Sequence, residues 1–275
     1  MRDLPRAYRV GKFISFVLAA LSVLALPLAA SASGQSDKDA AARAQATALF
    51  AKALALTDLR APGSPPFELR GTINAHQGLR KVTGAYLLKS ASPEKWREEI
   101  HFADYIRVRV GGKDEYWQSG GASYEAQPVL ELDQGLDFLK ELHVWARPEA
   151  MIGLKSIKLD QRKVEGIKSD CVTLISNEQA FSPEYCFDRA KGTLVSEKPR
   201  GSEFSKFIPF AGKLFPGNIF IKQTSDAPIT FIVNSIAPLG SADSGDFQPA
   251  VGASGWPSCD DPDGLATLRR KTSPI

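Results

Sequence analysis

The chain has 275 residues, 43% of them hydrophobic, with 34 Lys and Arg against 31 Asp and Glu. That length supports a sizeable core in one domain, or in one domain with appendages. Four of the 34 basic residues and one of the 31 acids lie in positions 1–32, so the remainder balances at 30 against 30 and has no overall field to draw it onto nucleic acid.

Arg2, Arg6, Arg9 and Lys12 precede the apolar run FISFVLAALSVLALPLAA at 13–30, and Ala30 and Ala32 stand in an A-x-A arrangement. A basic segment, an apolar segment and a small-residue site predict a signal peptide over 1–32 and export, to the periplasm or otherwise out of the cytoplasm. The run is also about as long as a minimal membrane span, so a retained N-terminal anchor is the alternative. Pro27 and the small polar residues that follow favour cleavage. No Cys stands near the junction, so a lipid-modified N-terminus is not expected. After cleavage no integral membrane span is expected, because later apolar runs such as ITFIVNSIAPL at 229–239 are short and read as strand.

Residues 36–59 read as a helix, with Ser36 and Asp39 as a capping box and Leu49, Phe50, Ala53 and Leu56 on one apolar side. Gly63 and the pair Pro65-Pro66 end it. From 67 the period becomes two. FELRGTINA, LRKVTGAYLLKSA, KWREEIHFADYIRVRVG and DEYWQSG alternate apolar and polar side chains, with breaks at Gln77-Gly78, Ser92–Glu94, Ala103-Asp104 and Gly111-Gly112. This predicts an antiparallel meander with one buried face. Trp96, Ile100 and Phe102 share a parity that Glu98 interrupts, either as a solvent exit or as a polar spot on the inner face.

Helical spacing returns over 129–145, where Leu132, Leu136, Leu139 and Leu142 form a stripe. Five or six further strands follow, and KSIKLDQRKVEGIK at 155–168 reads as a strand with its charged face in water. With two or three helices to cover this much sheet, the expected fold class is mainly β with covering helices. The expected architecture is a strongly curved antiparallel sheet, an unclosed half β-barrel with a concave apolar face under the helices. The expected organisation is a signal peptide at 1–32, a half-barrel domain at 33–239 and a tail at 240–275. The tail is mostly disordered or draped, pinned by Phe247, Val251 and Trp256.

Three cysteines are present. Cys171 and Cys186 flank SNEQAFSPE, which reads as a hairpin whose arms could bring the two within bonding range. A disulfide and two buried thiols are both open, while Cys259 in the tail is left over. No C-x-x-C spacing suggests a redox centre or zinc.

The element order, with ELRGTI, GAYLLKS, WREEIHFADYIRVRVGG and EYWQSG over roughly 36–238, resembles the LolA/LolB/LppX-like superfamily of periplasmic lipid and lipoprotein carriers. The resemblance implies an unclosed barrel holding an apolar cavity under a helical lid, and an arginine near that cavity, for which Arg97 or Arg107 is nearest by position. The tail segment GDFQPAVGASGWPSCDDP is similar to one in uncharacterised TonB-associated periplasmic proteins.

His76, His101 and His143 form no metal-binding spacing, and no nucleophile elbow or phosphate loop is present. Ser92 and Lys95 match S-x-x-K alone, which a turn before a strand explains. No metal, cofactor or enzymatic activity is therefore expected. The candidate ligand-binding residues are Tyr86, Trp96, Phe102, Trp117, Leu136 and Leu139, as walls of an apolar cavity; core packing is the alternative for each aromatic. The expected function is that of an exported binding or carrier protein for a lipid, acyl chain or lipoprotein. The alternative is a structural or interaction module with an envelope protein partner. A continuous cavity distinguishes the first, and a filled barrel with an exposed edge the second.

Overall fold

A computed structural model describes residues 30–77, 80–103, 105–111, 116–120, 127–177, 182–198, 201–222, 228–240, 244–248 and 254–255. Of these, the side chains at 30–36, 77, 116–120, 127–128, 130–131, 134, 244–245 and 254–255 are not described. The leader at 1–29 and Cys259 thus lie outside the described residues, as do Val251 and Trp256 of the tail.

The elements run in the order α1 (Ala30–Thr57), β1 (Phe67–Gln77), β2 (Arg80–Ser92), β3 (Lys95–Phe102), β4 (Tyr105–Gly111), β5 (Tyr116–Gly120), α2 (Gln127–Leu136), α3 (Phe138–Trp145) and α4 (Pro148–Ile152). They continue with β6 (Ser156–Val164), β7 (Ile167–Ile175), β8 (Glu184–Asp188), β9 (Leu194–Lys198), β10 (Ser202–Ser205), β11 (Ile208–Phe210), β12 (Lys213–Phe215), β13 (Asn218–Ile221), β14 (Ile229–Pro238) and β15 (Ser254–Gly255). A 3₁₀ turn spans Ser244–Phe247.

Thirteen of these strands make one sheet, in the order β15-β5-β4-β3-β2-β1-β14-β13-β10-β9-β8-β7-β6. Two meanders meet where β1 pairs antiparallel with β14, Phe67 opposite Pro238 and Asn74 opposite Thr230. The sheet is mainly antiparallel and unclosed, as expected. The chain leaves one side of the sheet after β5, lays α2 across β1, β13 and β14 in the middle, and re-enters at β6 on the opposite edge. Helices α2–α4 are therefore a cover over one face.

The meander over 67–120 breaks where the turn residues stand. The second half is finer-grained than expected: nine strands replace five or six, and β11 with β12 forms a separate two-stranded sheet. Lys206 and Ala211 at φ 52° and 49°, with Gly212 at 78°, fold this short insertion too tightly for period-two reading to resolve.

Helix α1 is already formed at Ala30, so Ser36 lies within it and is not its cap. Its buried line is Ala46, Phe50, Ala53 and Thr57, one residue every three or four as a helix face requires. Leu54 joins Leu49 against the core in place of the expected Leu56. Phe50 stands edge-on to Tyr185 at 5.0 Å and to Phe187 at 5.1 Å, which fixes the C-terminal half of α1 on β8. Arg43 donates to the carbonyls of Met151 and Leu154 and joins α1 to the end of the cover.

The helix expected over 129–145 is two helices separated at Asp137. Leu132 and Leu142 are fully buried, and Leu136 and Leu139 are partly so. Phe138 packs on Phe204 at 4.6 Å. Gly135 lets α2 approach the sheet: a β-carbon there would overlap Ile221 Cδ1 of β13. The glycine that weakens the helix is what seats it.

Cys171 and Cys186 are direct cross-strand partners on β7 and β8, and they form a disulfide with Cα atoms 4.0 Å apart. The pair sits with Val195, Val164 and Ile167 in a small apolar cluster of its own. The bond closes a loop of 15 residues, for which chain-entropy arguments give about 3 kcal/mol. The double variant Cys171→Ser/Cys186→Ser should lose about 2–3 kcal/mol in urea unfolding, with the wild-type protein under reductant falling to the same midpoint.

Candidate functional site

β3 and β4 form a hairpin closed by Phe102 opposite Tyr105. From that register the rest follows. Trp96, Glu98 and Ile100 point to the covered face, and Glu98 stands opposite Arg109 while Ile100 stands opposite Arg107. Glu98, the break in parity, is thus a polar spot on the inner face, not a solvent exit; it is 8% exposed.

Around it stand Tyr86, Arg107, Arg109 and Asp133. Tyr86 Oη of β2 donates to Glu98 Oε1 at 2.9 Å. Arg107, only 1% exposed, donates through both Nη atoms to the two oxygens of Asp133 at 2.6 Å and through Nη2 to Glu98 Oε2 at 3.3 Å. Arg109 Nη1 lies 3.1 Å from Asp133 Oδ1 and 3.2 Å from Glu98 Oε2. Two guanidinium groups balance two carboxylates, and the bidentate pair joins α2 to β4. Burial, followed by the charge of Glu98 and its hydrogen bond, pushes the Tyr86 hydroxyl well above the ordinary tyrosine range. Tyr86 therefore remains a proton donor.

Two further polar ties hold α3. Tyr185 Oη of β8 donates to Glu141 Oε2 at 3.0 Å, which also accepts from Trp145 Nε1 at 3.0 Å. Burial, then the charges of Glu141 and Glu197, raise the Tyr185 hydroxyl far above its usual range. His143 Nε2 faces Asp58 Oδ2 at 3.1 Å, beyond the end of α1.

Between sheet and cover lies a cavity of about 380 Å³. Its floor is Phe67 and Leu69 of β1, Tyr86 and Leu88 of β2, Trp96 and Glu98 of β3 and Arg109 of β4. Asp133 and Leu136 of α2 roof it, with Asp137, Leu139 and Lys140 beside them. Asp58, Leu59 and Arg60 close one side, and Phe215 contributes from β12. Trp96 can lie flat in this wall because its cross-strand partner is Gly111: a β-carbon there would overlap Trp96 Nε1. Arg60 lies over the indole, its guanidinium carbon 5.8 Å from the ring centroid.

Of the six candidate residues, Tyr86, Trp96, Leu136 and Leu139 line this cavity. Phe102 lies over Gly84 of β2, outside that lining. Trp117 has its backbone in β5 opposite Val110, and its side chain is outside the described residues. Of the two arginines set by the resemblance, Arg107 turns inward. Arg97 faces outward, pairing with Glu99 at 2.5 Å and reaching the carbonyl of Gln248 in the tail. Arg60, Arg109, Asp133, Phe67, Leu69 and Phe215 were not anticipated. Arg107 and Arg109 share the parity of Tyr105, so the hairpin turn at Ala103-Asp104 carried the signal for both. Asp133 and Arg60 reach the cavity only through tertiary packing.

Part of the tail is draped. Asp246 pairs with Lys89 at 3.0 Å, Phe247 is buried under Lys95, and Ser254–Gly255 pairs with β5. Among the described residues no group of three or more His, Cys, Asp or Glu is placed to hold a metal ion, and no helix is long and apolar enough to cross a membrane.

No protein-family model matches the sequence, and no curated protein matches it. Among solved structures the chain is similar to a LolA superfamily protein from Nitrosomonas europaea, at 10% identity and a TM-score of 0.43, over 75% of this chain and 98% of that one. It is similar to a DUF1329 family protein from Desulfovibrio piger at 12% identity and a TM-score of 0.42, over 78% and 98%. LprF from Mycobacterium bovis is similar at 10% identity and a TM-score of 0.25, over 73% and 97%.

Removing Arg107 leaves Glu98 and Asp133 sharing the single cation of Arg109, so Arg107→Leu should destabilise by about 3 kcal/mol, against about 1–2 kcal/mol for Asp133→Asn. Urea midpoints measure both, and an Arg107→Leu change below about 1 kcal/mol would show the cluster to be dispensable. A raised folded-state hydroxyl pKa contributes stability in full below the unfolded value near 10 and loses it as pH rises further. Absorbance titration at 295 nm should therefore show Tyr86 and Tyr185 ionising only as the protein unfolds, and Tyr86→Phe should flatten the alkaline loss of stability.

Proposed function

We propose that this protein is an exported binding or carrier protein for one amphiphilic ligand, such as a lipid, an acyl chain or the lipid part of a lipoprotein. The observation that carries the reading is the cavity of about 380 Å³ between the sheet and α2–α3. That size suits a single small ligand or chain. Its aliphatic and aromatic walls bury a tail, at about 0.8 kcal/mol per methylene removed from water. The ligand-binding residues on this reading are Tyr86, Trp96, Leu136 and Leu139, joined by Phe67, Leu69 and Leu88. The moving cover is α2–α3, held by the Arg107–Asp133 pair, the Tyr185–Glu141 bond and the buried Leu132, Phe138 and Leu142, whose apolar surface the ligand tail covers on opening. No step of this mechanism is enzymatic.

The same reading takes 1–32 as a signal peptide, 33–239 as the ligand-binding body and 240–275 as a tail partly laid on its outer face, with the periplasm as the working compartment. A docking module for an envelope protein is the second reading, favoured by β6 at the end of the sheet order. The charges that β6 exposes, Asp160, Arg162 and Lys163, oppose strand addition there.

Native mass spectrometry of protein recovered from the envelope fraction should reveal bound amphiphile, and calorimetry should detect binding of the neutral lipid monolauroylglycerol. Leu139→Trp fills the cavity and should weaken that binding at least about tenfold while the fold persists. Binding unaffected by Leu139→Trp would place the ligand elsewhere.

A further inference from the structure

The carboxylates around the cavity are already engaged. Glu98 and Asp133 share Arg107 and Arg109. Asp137 takes Lys140 at 2.8 Å. Asp58 accepts the backbone N–H of Arg60 at 2.9 Å and faces His143. The Arg60 side chain is held differently, over the face of Trp96, a contact that consumes none of its N–H donors. Arg60 and Arg109 both line the cavity. Both also act on the Tyr86 hydroxyl, opposing the burial and the Glu98 charge that raise its pKa. Trp96 beneath Arg60 and Glu98 beside Arg109 are neighbours on the same face of β3, so the two guanidinium groups stand along one stretch of the cavity wall, which Leu69, Leu88 and Leu136 complete as apolar surface.

We infer that the cavity selects anionic amphiphiles, with Arg60 and Arg109 receiving the headgroup, an inference that rests on the ligand-binding reading of the same cavity. A carboxylate or phosphate head meets the fork of Arg60 and the partly exposed Arg109 through charge-assisted hydrogen bonds. A neutral head meets carboxylates that already have partners. A cationic head meets like charge. The tail lies on the leucines, and Trp96 holds Arg60 in position.

The test compares dodecyl compounds, each below its micelle concentration, by calorimetry on the full mature protein. Laurate and dodecyl phosphate should bind at least about tenfold more tightly than monolauroylglycerol, and dodecyltrimethylammonium more weakly still. Comparing the two anions separates carboxylate from phosphate recognition. Arg60→Gln should close the gap between anionic and neutral ligands by weakening laurate and dodecyl phosphate at least about tenfold more than monolauroylglycerol, and Arg60→Lys should retain most of the gap. Thermal melts of both variants verify that they fold. The gap should also narrow with added salt. Equal affinity for laurate and monolauroylglycerol, or an intact gap in Arg60→Gln, would overturn the inference while leaving the binding reading in place. Inorganic phosphate competing as well as dodecyl phosphate would overturn it too, since the chain would then contribute nothing. Failure of every dodecyl compound to bind would overturn both.

Discussion

The buried guanidinium of Arg107 constrains everything around it. A charge that is 1% exposed has lost its water and persists only with full ionic partners. Among the described residues those partners include Glu98, one strand away, and Asp133 on α2. The first demand fixes the register of the β3–β4 hairpin, because a slip of one residue would turn both arginines outward and Glu98 with them. The second demand fixes the cover. Asp133 reaches β4 only if α2 lies close on the sheet, and Gly135, two residues on, allows that approach where a side chain would meet Ile221.

The interior that results has two characters. Where α1 lies on β8, aromatic rings fill the space: Phe50 meets Tyr185 and Phe187 within about 5 Å. Opening that half would expose large apolar surface. Where α2 and α3 lie over the sheet, polar links join the packing of the buried Leu132, Phe138 and Leu142: the Arg107–Asp133 pair, the Tyr185–Glu141 bond and the His143–Asp58 contact. Water compensates such links far better than it compensates a lost aromatic contact. The cavity lies beneath the part of the cover that combines both kinds of link.

Much of the fold was legible because its signals are local. The breaks at Ser92–Glu94 and Ala103-Asp104 separate strands that alternate cleanly, and Cys171 and Cys186 lie on arms joined by an evident turn. Glu98 was visible as an anomaly in its strand, and the hairpin turn determined what it faces. The small β11–β12 insertion was not legible, since three-residue strands carry too little pattern to count. Asp133 and Arg60 were not legible for a different reason. Neither breaks a pattern in its own element, and only the laying of α2 over the sheet and of the segment after α1 beside β3 brings them to the cavity.

Strand β3 joins these observations. Its alternation sends Trp96, Glu98 and Ile100 to the covered face and Arg97, Glu99 and His101 to the outer one. On the outer face burial pushes the Glu99 carboxyl up, but hydrogen bonds from Arg97 and His101 outweigh it and hold the group below the usual carboxylate range. That anion fixes Arg97, which reaches the carbonyls of Asp246 and Gln248. On the inner face the alternate residues Trp96 and Glu98 make the cavity wall and part of its charge cluster. One strand thus carries the seat of the tail and the floor of the cavity back to back. A change in either that bends β3 must be felt by the other, because a pleated strand in mid-sheet has no independent way to move its two rows of side chains.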